Sequence, residues 1–196
     1  MAGTGKPRAD RAAVLEAACR VTDRDGMDGL TLASVAAELG LHSSSLYNHV
    51  DGLEGLRKSV TVAALAELSE RLRDAVLGRG GAAGMRAIAD AYRAYAAERP
   101  GRFRAATSWH LWCRWEEVQD AADGGLRAIH AVISSFGLEG IALRHAARAY
   151  TSALIGFIQA ADHAFTAPPS AEGTFDYLVS LFSDAFAAGR WPASNG

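Results

Sequence analysis

Apolar residues recur along most of this 196-residue chain at three- and four-residue intervals, the spacing that lines one face of a helix. Over 8–24 the stripe is Val14, Leu15, Ala18 and Val21, and Gly26 is expected to end that helix. Over 52–77 it is Val60, Leu65, Leu68 and Leu72, a helix of about 38 Å at 1.5 Å per residue. Asp51 and Glu54 stand at its start with the spacing of a capping pattern. Residues 78–84, GRGGAAG, read as a loop. Further helices are predicted over 85–98, 103–120, 126–136, 141–164 and 172–188, with Arg99-Pro100-Gly101 and Pro168-Pro169 as breaks between them. No strand-like alternation and no internal repeat is evident. The pattern predicts an all-α fold of about nine helices.

The most informative stretch is 30–50, LTLASVAAELGLHSSSLYNHV. Leu32, Val35, Ala36 and Leu39 form one apolar helical face, and Gly40 supplies a residue able to take positive φ at its end. A second short helix is expected to bury Leu46 and Val50. Thr31 and Ser43 are expected to cap the two helices with their hydroxyls. Small Ala36 lets the second helix cross the first closely. This is the grammar of a helix-turn-helix, whose second helix enters the DNA major groove. The alternative is two short core helices of an unrelated helical domain.

The segment LTLASVAAELGLHSSSLYNHVDGLEGL resembles the DNA-binding domain of the TetR (tetracycline-repressor-like) family of transcription regulators. The resemblance is carried by Leu46-Tyr47-Asn48-His49, which fits the family's L-Y-x-H, and by Ala36 to Leu41, with support from the Gly-Leu after Glu54. Two positions depart from the family: Val50 stands where Phe is common, and Leu53 where a phosphate-contacting Lys is common. The resemblance implies that Tyr47 and His49 donate to DNA phosphates and fix register. On the reading helix Ser43, Ser44, Ser45 and Asn48 offer side chains to base edges, and Asn pairs bidentately with adenine. His42, just ahead of that helix, and Thr31, at the start of the one before, are placed for a base or phosphate. A core role for Tyr47, and a capping or buried role for His49, are the alternatives.

The resemblance also implies a homodimer on a palindromic double-stranded DNA operator, a small-molecule effector, and a four-helix bundle from the last two helices of each subunit. Two-fold pairing presents reading heads about 34–36 Å apart or a multiple of it. Interface candidates are Tyr150, Leu154, Phe157, Phe175, Leu178 and Phe182, with Phe175, Phe182 and Phe186 at i, i+7 and i+11. The alternative is that these helices close the subunit's own core. An apolar effector pocket is expected from Tyr92, Tyr95, Phe103, Trp109, Trp112 and Cys113, with His110 or His130 as polar anchors and Trp115 continuing the tryptophan series. Ordinary core packing competes with that reading.

Composition narrows the class. Hydrophobic residues make up 49% of the chain and mean hydropathy is +0.02, which excludes general disorder. No run of eighteen uncharged apolar residues is present, and the basic N-terminus has no apolar stretch behind it. With only Cys19 and Cys113, both expected as reduced thiols, the chain is read as cytoplasmic. Net charge is −2, and residues 1–60 carry seven basic against eight acidic side chains. That balance predicts modest nonspecific DNA affinity. Residues 40–50 contain no acid, and an N-terminal arm carries Lys6 and Arg8. His110, Cys113 and Glu117 have helical metal-ligand spacing but no second cluster, so no metal and no cofactor is expected. Without a nucleophile motif or a phosphate-cradling loop, an enzyme is not expected. The division read from the sequence is a helix-turn-helix domain over 1–53 and a ligand-binding and dimerisation domain over 54–196. A helical ligand-binding or interaction module without DNA binding is the competing reading.

Overall fold

The computed structural model describes residues 10–108, 115–164 and 170–190, and these contain eight α-helices, one 3₁₀ helix and no strand. In order they are α1 (Arg11–Gly29), α2 (Leu32–Leu39), the 3₁₀ helix (Ser43–Asn48), α3 (Gly52–Ala75), α4 (Gly81–Glu98), α5 (Pro100–Thr107), α6 (Glu116–Ser134), α7 (Gly140–Ala164) and α8 (Ala171–Ala187). They fall into two compact units. One comprises the described residues of 1–64 and 99–118, the other those of 65–98 and 119–196. The division passes through the interior of both α3 and α6.

In the first unit, Asp10 caps α1 by accepting from the Ala13 N–H at 2.8 Å. Gly26 then turns the chain at φ 75°, so regular helix stops where the glycine was expected to stop it. α1, α2, the 3₁₀ helix and the start of α3 enclose Val14, Ala18, Val21, Leu30, Val35, Leu46, Leu56 and Val60. α5 completes the unit. Pro100 occupies its first turn, where the missing N–H costs nothing, so the expected break is also a start. A side chain at Gly101 would place its Cβ 1.7 Å from the Thr22 carbonyl oxygen, so α1 and α5 approach backbone to backbone. Asp23 secures the same contact, with Oδ1 accepting from the Arg102 N–H at 3.0 Å and Oδ2 from Arg102 Nε at 2.8 Å.

In the second unit, close crossings again rely on small residues. Gly125 of α6 meets Ser69 of α3, whose hydroxyl donates to the Ala121 carbonyl at 2.6 Å. Gly84 of α4 lies against Val132 of α6. The core contains Met85, Ile88, Tyr95, Ile133, Leu138, Tyr150, Leu154 and Phe175. Tyr150 donates to the Met85 carbonyl at 2.8 Å, satisfying a phenol whose pKa burial pushes up. α4 and α8 are joined by Arg86 to Asp176 at 2.5 Å and by Arg93 stacked 4.6 Å from the Phe175 ring centre.

Three expectations change. Residues 81–84 belong to α4, so the loop is shorter than GRGGAAG suggests. The single helix expected over 103–120 is not one element, because α5 ends at Thr107 and α6 begins at Glu116. α6 continues through Gly124-Gly125 rather than starting near residue 126, its glycines tolerated because α3 packs tightly there.

Gly101→Ala is expected to cost about 3 kcal/mol or more, at the upper end of overpacking penalties, because the clash is with backbone. Urea unfolding would read this as a lower midpoint at unchanged m; a midpoint equal to the parent's would mean α1 and α5 separate easily.

Candidate functional site

The helix-turn-helix is built from reciprocal local bonds. Thr31 Oγ1 accepts from the Ser34 N–H at 3.0 Å, and Ser34 Oγ accepts from the Thr31 N–H at 2.9 Å. The arrangement is a capping box in which serine takes the place of the usual Glu or Gln. At the other end Gly40 adopts φ 65°, and the N–H groups of Gly40 and Leu41 reach the carbonyls of Ala37 and Ala36. That is a Schellman closure, and it sets the direction in which the chain leaves α2. α2 is fixed on α1 by Glu38. Its Oε1 accepts from Arg20 Nε and its Oε2 from Arg24 Nη1, each at 2.9 Å. These bonds, Arg20's first, hold the Glu38 carboxyl below the ordinary carboxylate range.

The reading element that follows is a 3₁₀ helix rather than the expected α-helix, and Ser43 is its first residue rather than its cap. His42 takes the flanking position, without a side-chain capping bond. Three consecutive serines compete for backbone bonds and favour helix weakly, and only six residues are available. In a 3₁₀ helix positions three apart line up, so Ser44 and Tyr47 share one edge and Ser43 and Leu46 another. Leu46 is 0% exposed while its neighbour Tyr47 is 64% exposed. A core role for Tyr47 is therefore excluded. His42, Ser43, Ser44 and Ser45 are exposed, as is Thr31. His49 is half-buried, its N–H donating to the Leu46 carbonyl at 2.8 Å. The side chain of Asn48 lies outside the described residues.

Arg20, Arg24, Lys58 and Arg102 of this unit pair with its own acids. Arg20 and Arg24 bind Glu38, Arg24 also binds Asp25 at 2.9 Å, and Lys58 binds Glu117 at 2.7 Å. Arg57 donates to the Met27 carbonyl at 3.4 Å, and its buried Nε has no partner. The exposed surface of the 3₁₀ helix is thus polar and nearly uncharged, lined by serine hydroxyls, a phenol and an imidazole.

Of the residues expected around an effector, Trp109, His110, Trp112 and Cys113 lie outside the described residues. Phe103 is buried in the first unit. Tyr92 and Tyr95 are buried in the second, where desolvation raises the Tyr92 pKa and Arg71 stacks 5.0 Å from the Tyr95 ring centre. Glu117, considered as a metal ligand, is the ion-pair partner of Lys58. No group of three His, Cys, Asp or Glu placed to hold a metal occurs among the described residues. Nor is any of their helices long and apolar enough to cross a membrane.

The residues expected at a subunit interface separate into two sets. Tyr150, Leu154 and Phe175 are enclosed within the chain's own second unit, so these three are reassigned to the subunit core. Phe157, Leu178 and Phe182 are half-buried, with Phe157 against Phe175 and Phe182 against Tyr150. Among the described residues, the exposed large apolar side chains of α7 and α8 are Ile141, Tyr177 and Leu181, which spacing alone did not single out because core and interface share one period.

Known proteins with the same organisation agree. A model of the tetracyclin repressor-like C-terminal domain matches residues 85–182. An HTH-type transcriptional regulator of Mycobacterium tuberculosis is 36% identical over 167 residues, which cover 79% of this chain and 77% of that protein. A protein of unknown function from Rhodococcus superposes with a TM-score of 0.73 at 21% identity, covering 95% of this chain and 98% of that one. The transcriptional regulator FadR of Bacillus subtilis, solved with stearoyl-CoA, superposes with a TM-score of 0.65 at 13% identity, covering 88% of this chain and 97% of that one. With a capped helix-turn-helix ahead of the matched C-terminal region, this chain belongs to the TetR family of DNA-binding transcription regulators.

Proposed function

We propose that the protein is a repressor that binds a palindromic operator as a homodimer and is released by a small, largely apolar effector. The observation that carries the reading is the alternation of buried Leu46 and exposed Tyr47 on a short, rigidly connected 3₁₀ helix. It supports an outward reading edge of Ser44 and Tyr47, flanked by His42, Ser43 and Ser45. In this reading Tyr47, His49 and Thr31 contact phosphates, while the serines and Asn48 meet base edges. Residues 1–53 serve as the reading domain and 54–196 as the effector and dimerisation domain, acting in the cytoplasm. The half-buried Leu178 and Phe182, with exposed Tyr177 and Leu181, support α8 as part of the two-fold contact.

The effector is proposed to bind within residues 54–196, where Tyr92 and Tyr95 supply buried aromatic surface. The stearoyl-CoA bound by the Bacillus regulator is an apolar-tailed ligand in the same fold. Release requires that the effector bind more tightly to the form of the dimer whose reading heads are wrongly spaced. Reversing a 99:1 population takes about 5.5 kcal/mol of such preference. α3, which contributes to both compact units, is the proposed lever.

The competing module without DNA binding draws on Leu53 and on the acidic balance of residues 1–60. Selection of random duplexes by the purified protein separates the two: an enriched palindrome supports the regulator, and no enrichment at low salt supports the module. Tyr47→Ala is expected to weaken binding to the selected palindrome at least tenfold in a gel shift, with an unchanged melting temperature because the ring is exposed. Unchanged affinity would remove Tyr47 from the interface.

Salt dependence follows from the internally paired cations. With Arg20, Arg24 and Lys58 paired internally and Arg57 donating to the Met27 carbonyl, the proposed phosphate contacts are Lys6, Arg8 and Arg11, or six cations per dimer. The slope of log K against log salt should then be about −5 or shallower. A steeper slope, measured by anisotropy, would show that those ion pairs open on DNA.

A further inference from the structure

Residues 109–114, which carry Trp109 and Trp112, are flanked in the chain by α5 and by the start of α6, and both flanks belong to the first compact unit. On the N-terminal side, α5 is welded to α1 by the Gly101–Thr22 backbone contact and the two bonds from Arg102 to Asp23. The Asp23 and Arg102 side chains are only 18% and 16% exposed, so this fastening is largely shielded from solvent. On the C-terminal side stands Lys58, on the second turn of α3. Its ammonium is 2.7 Å from Glu117 Oε1 and 5.4 Å from the centre of the Trp115 ring. Two different kinds of attraction, ion pair and cation–π, therefore converge on one nitrogen. The pairing lowers the Glu117 pKa, its first cause being the hydrogen bond from Lys58.

We propose that Lys58 is a positioning residue for DNA binding: by clasping Trp115 and Glu117 it fastens the start of α6 to the helix-turn-helix unit and holds the reading element in its DNA-competent arrangement. This inference rests on the regulator reading above and deepens it. α3 and α6 both begin in this unit, and the Lys58 clasp joins them there six residues after α3 starts. Glu117 is 59% exposed and Lys58 29% exposed, so the pair is half in water. Exposed pairs of this kind are weak and reversible. The Asp23–Arg102 fastening is the shielded one.

Simple electrostatics and the clasp make opposite forecasts for one substitution. If Lys58 acted only through attraction to phosphate, Lys58→Met would weaken DNA binding and Glu117→Gln, which removes a negative charge, would strengthen it. If the clasp positions the head, both weaken it. The experiment measures anisotropy on the duplex selected by the wild-type protein, with thermal midpoints and tryptophan emission recorded alongside. Expected are three- to tenfold weaker binding for each single variant and no further loss in the double variant. Midpoints should change by no more than a degree or two, and Trp115 emission should shift in a background where the other tryptophans are phenylalanine. Lys58→Arg, which retains charge and ring stacking, should restore most of the affinity. Opposite signs for the two single variants, additive losses, or unchanged affinity alongside the emission shift would each overturn the proposal. If the wild-type protein selects no duplex, the regulator reading itself fails and the proposal falls with it; when the wild type selects one, the variants judge the clasp alone.

Discussion

The arrangement of the reading head hangs on the burial of Leu46. A six-residue 3₁₀ helix containing three serines has little stability of its own, since its bonds are few and poorly aligned. Full burial of one leucine contributes about 1.5–3 kcal/mol. Leu41 and Val50, both partly buried, hold the two ends of the element to the same core. The element is therefore a surface strip pinned to α1, α2 and α3 rather than a helix that docks as a finished unit. Its position is only as fixed as the core beneath it, which explains why so many devices stabilise α2: the Thr31–Ser34 box, the Gly40 closure and the double grip of Glu38.

That same economy shapes the electrostatics. Basic residues that would advertise a nucleic-acid binder are here used to hold the head together, Arg20 and Arg24 on Glu38 and Lys58 on Glu117. What faces outward on the 3₁₀ helix is hydroxyl, phenol and imidazole. In the proposed reading such a surface discriminates by hydrogen-bond geometry and fit rather than by charge, in keeping with a net charge of −2. It also fits Leu53, at the position where the family resemblance implies a cation.

Much of the fold was legible because its signals are local. α2 emerged from a four-residue apolar face bounded by Thr31 and Gly40, and both boundary residues act through bonds to backbone within five residues. α7 and α8 were legible because long apolar stripes have one helical solution. The rest required partners distant in sequence. Nothing near Gly101 shows that Thr22 will lie against it, and Pro100 reads equally well as the end of one helix and the start of the next. The 3₁₀ geometry was hidden because Leu46 and Val50 satisfy an α-helical spacing while the serines between favour a tighter turn. Tyr150, Leu154 and Phe175 have the period of both a core and an interface, and only the packing of α4 against α7 and α8 assigns them to the core. The Lys58 clasp was invisible for the same reason, because its partners lie fifty-seven and fifty-nine residues away.

In the proposed reading Tyr47 stands outward where a duplex meets it, while Leu46 beside it turns in. The most direct measurement replaces Tyr47 with p-benzoylphenylalanine, a photoreactive aromatic of similar shape, and irradiates the protein with its selected duplex. A covalent protein–DNA product is expected from position 47, abolished by excess unlabelled duplex of the same sequence. Crosslinking from position 47 into the protein's own chain, with no DNA product, would contradict it.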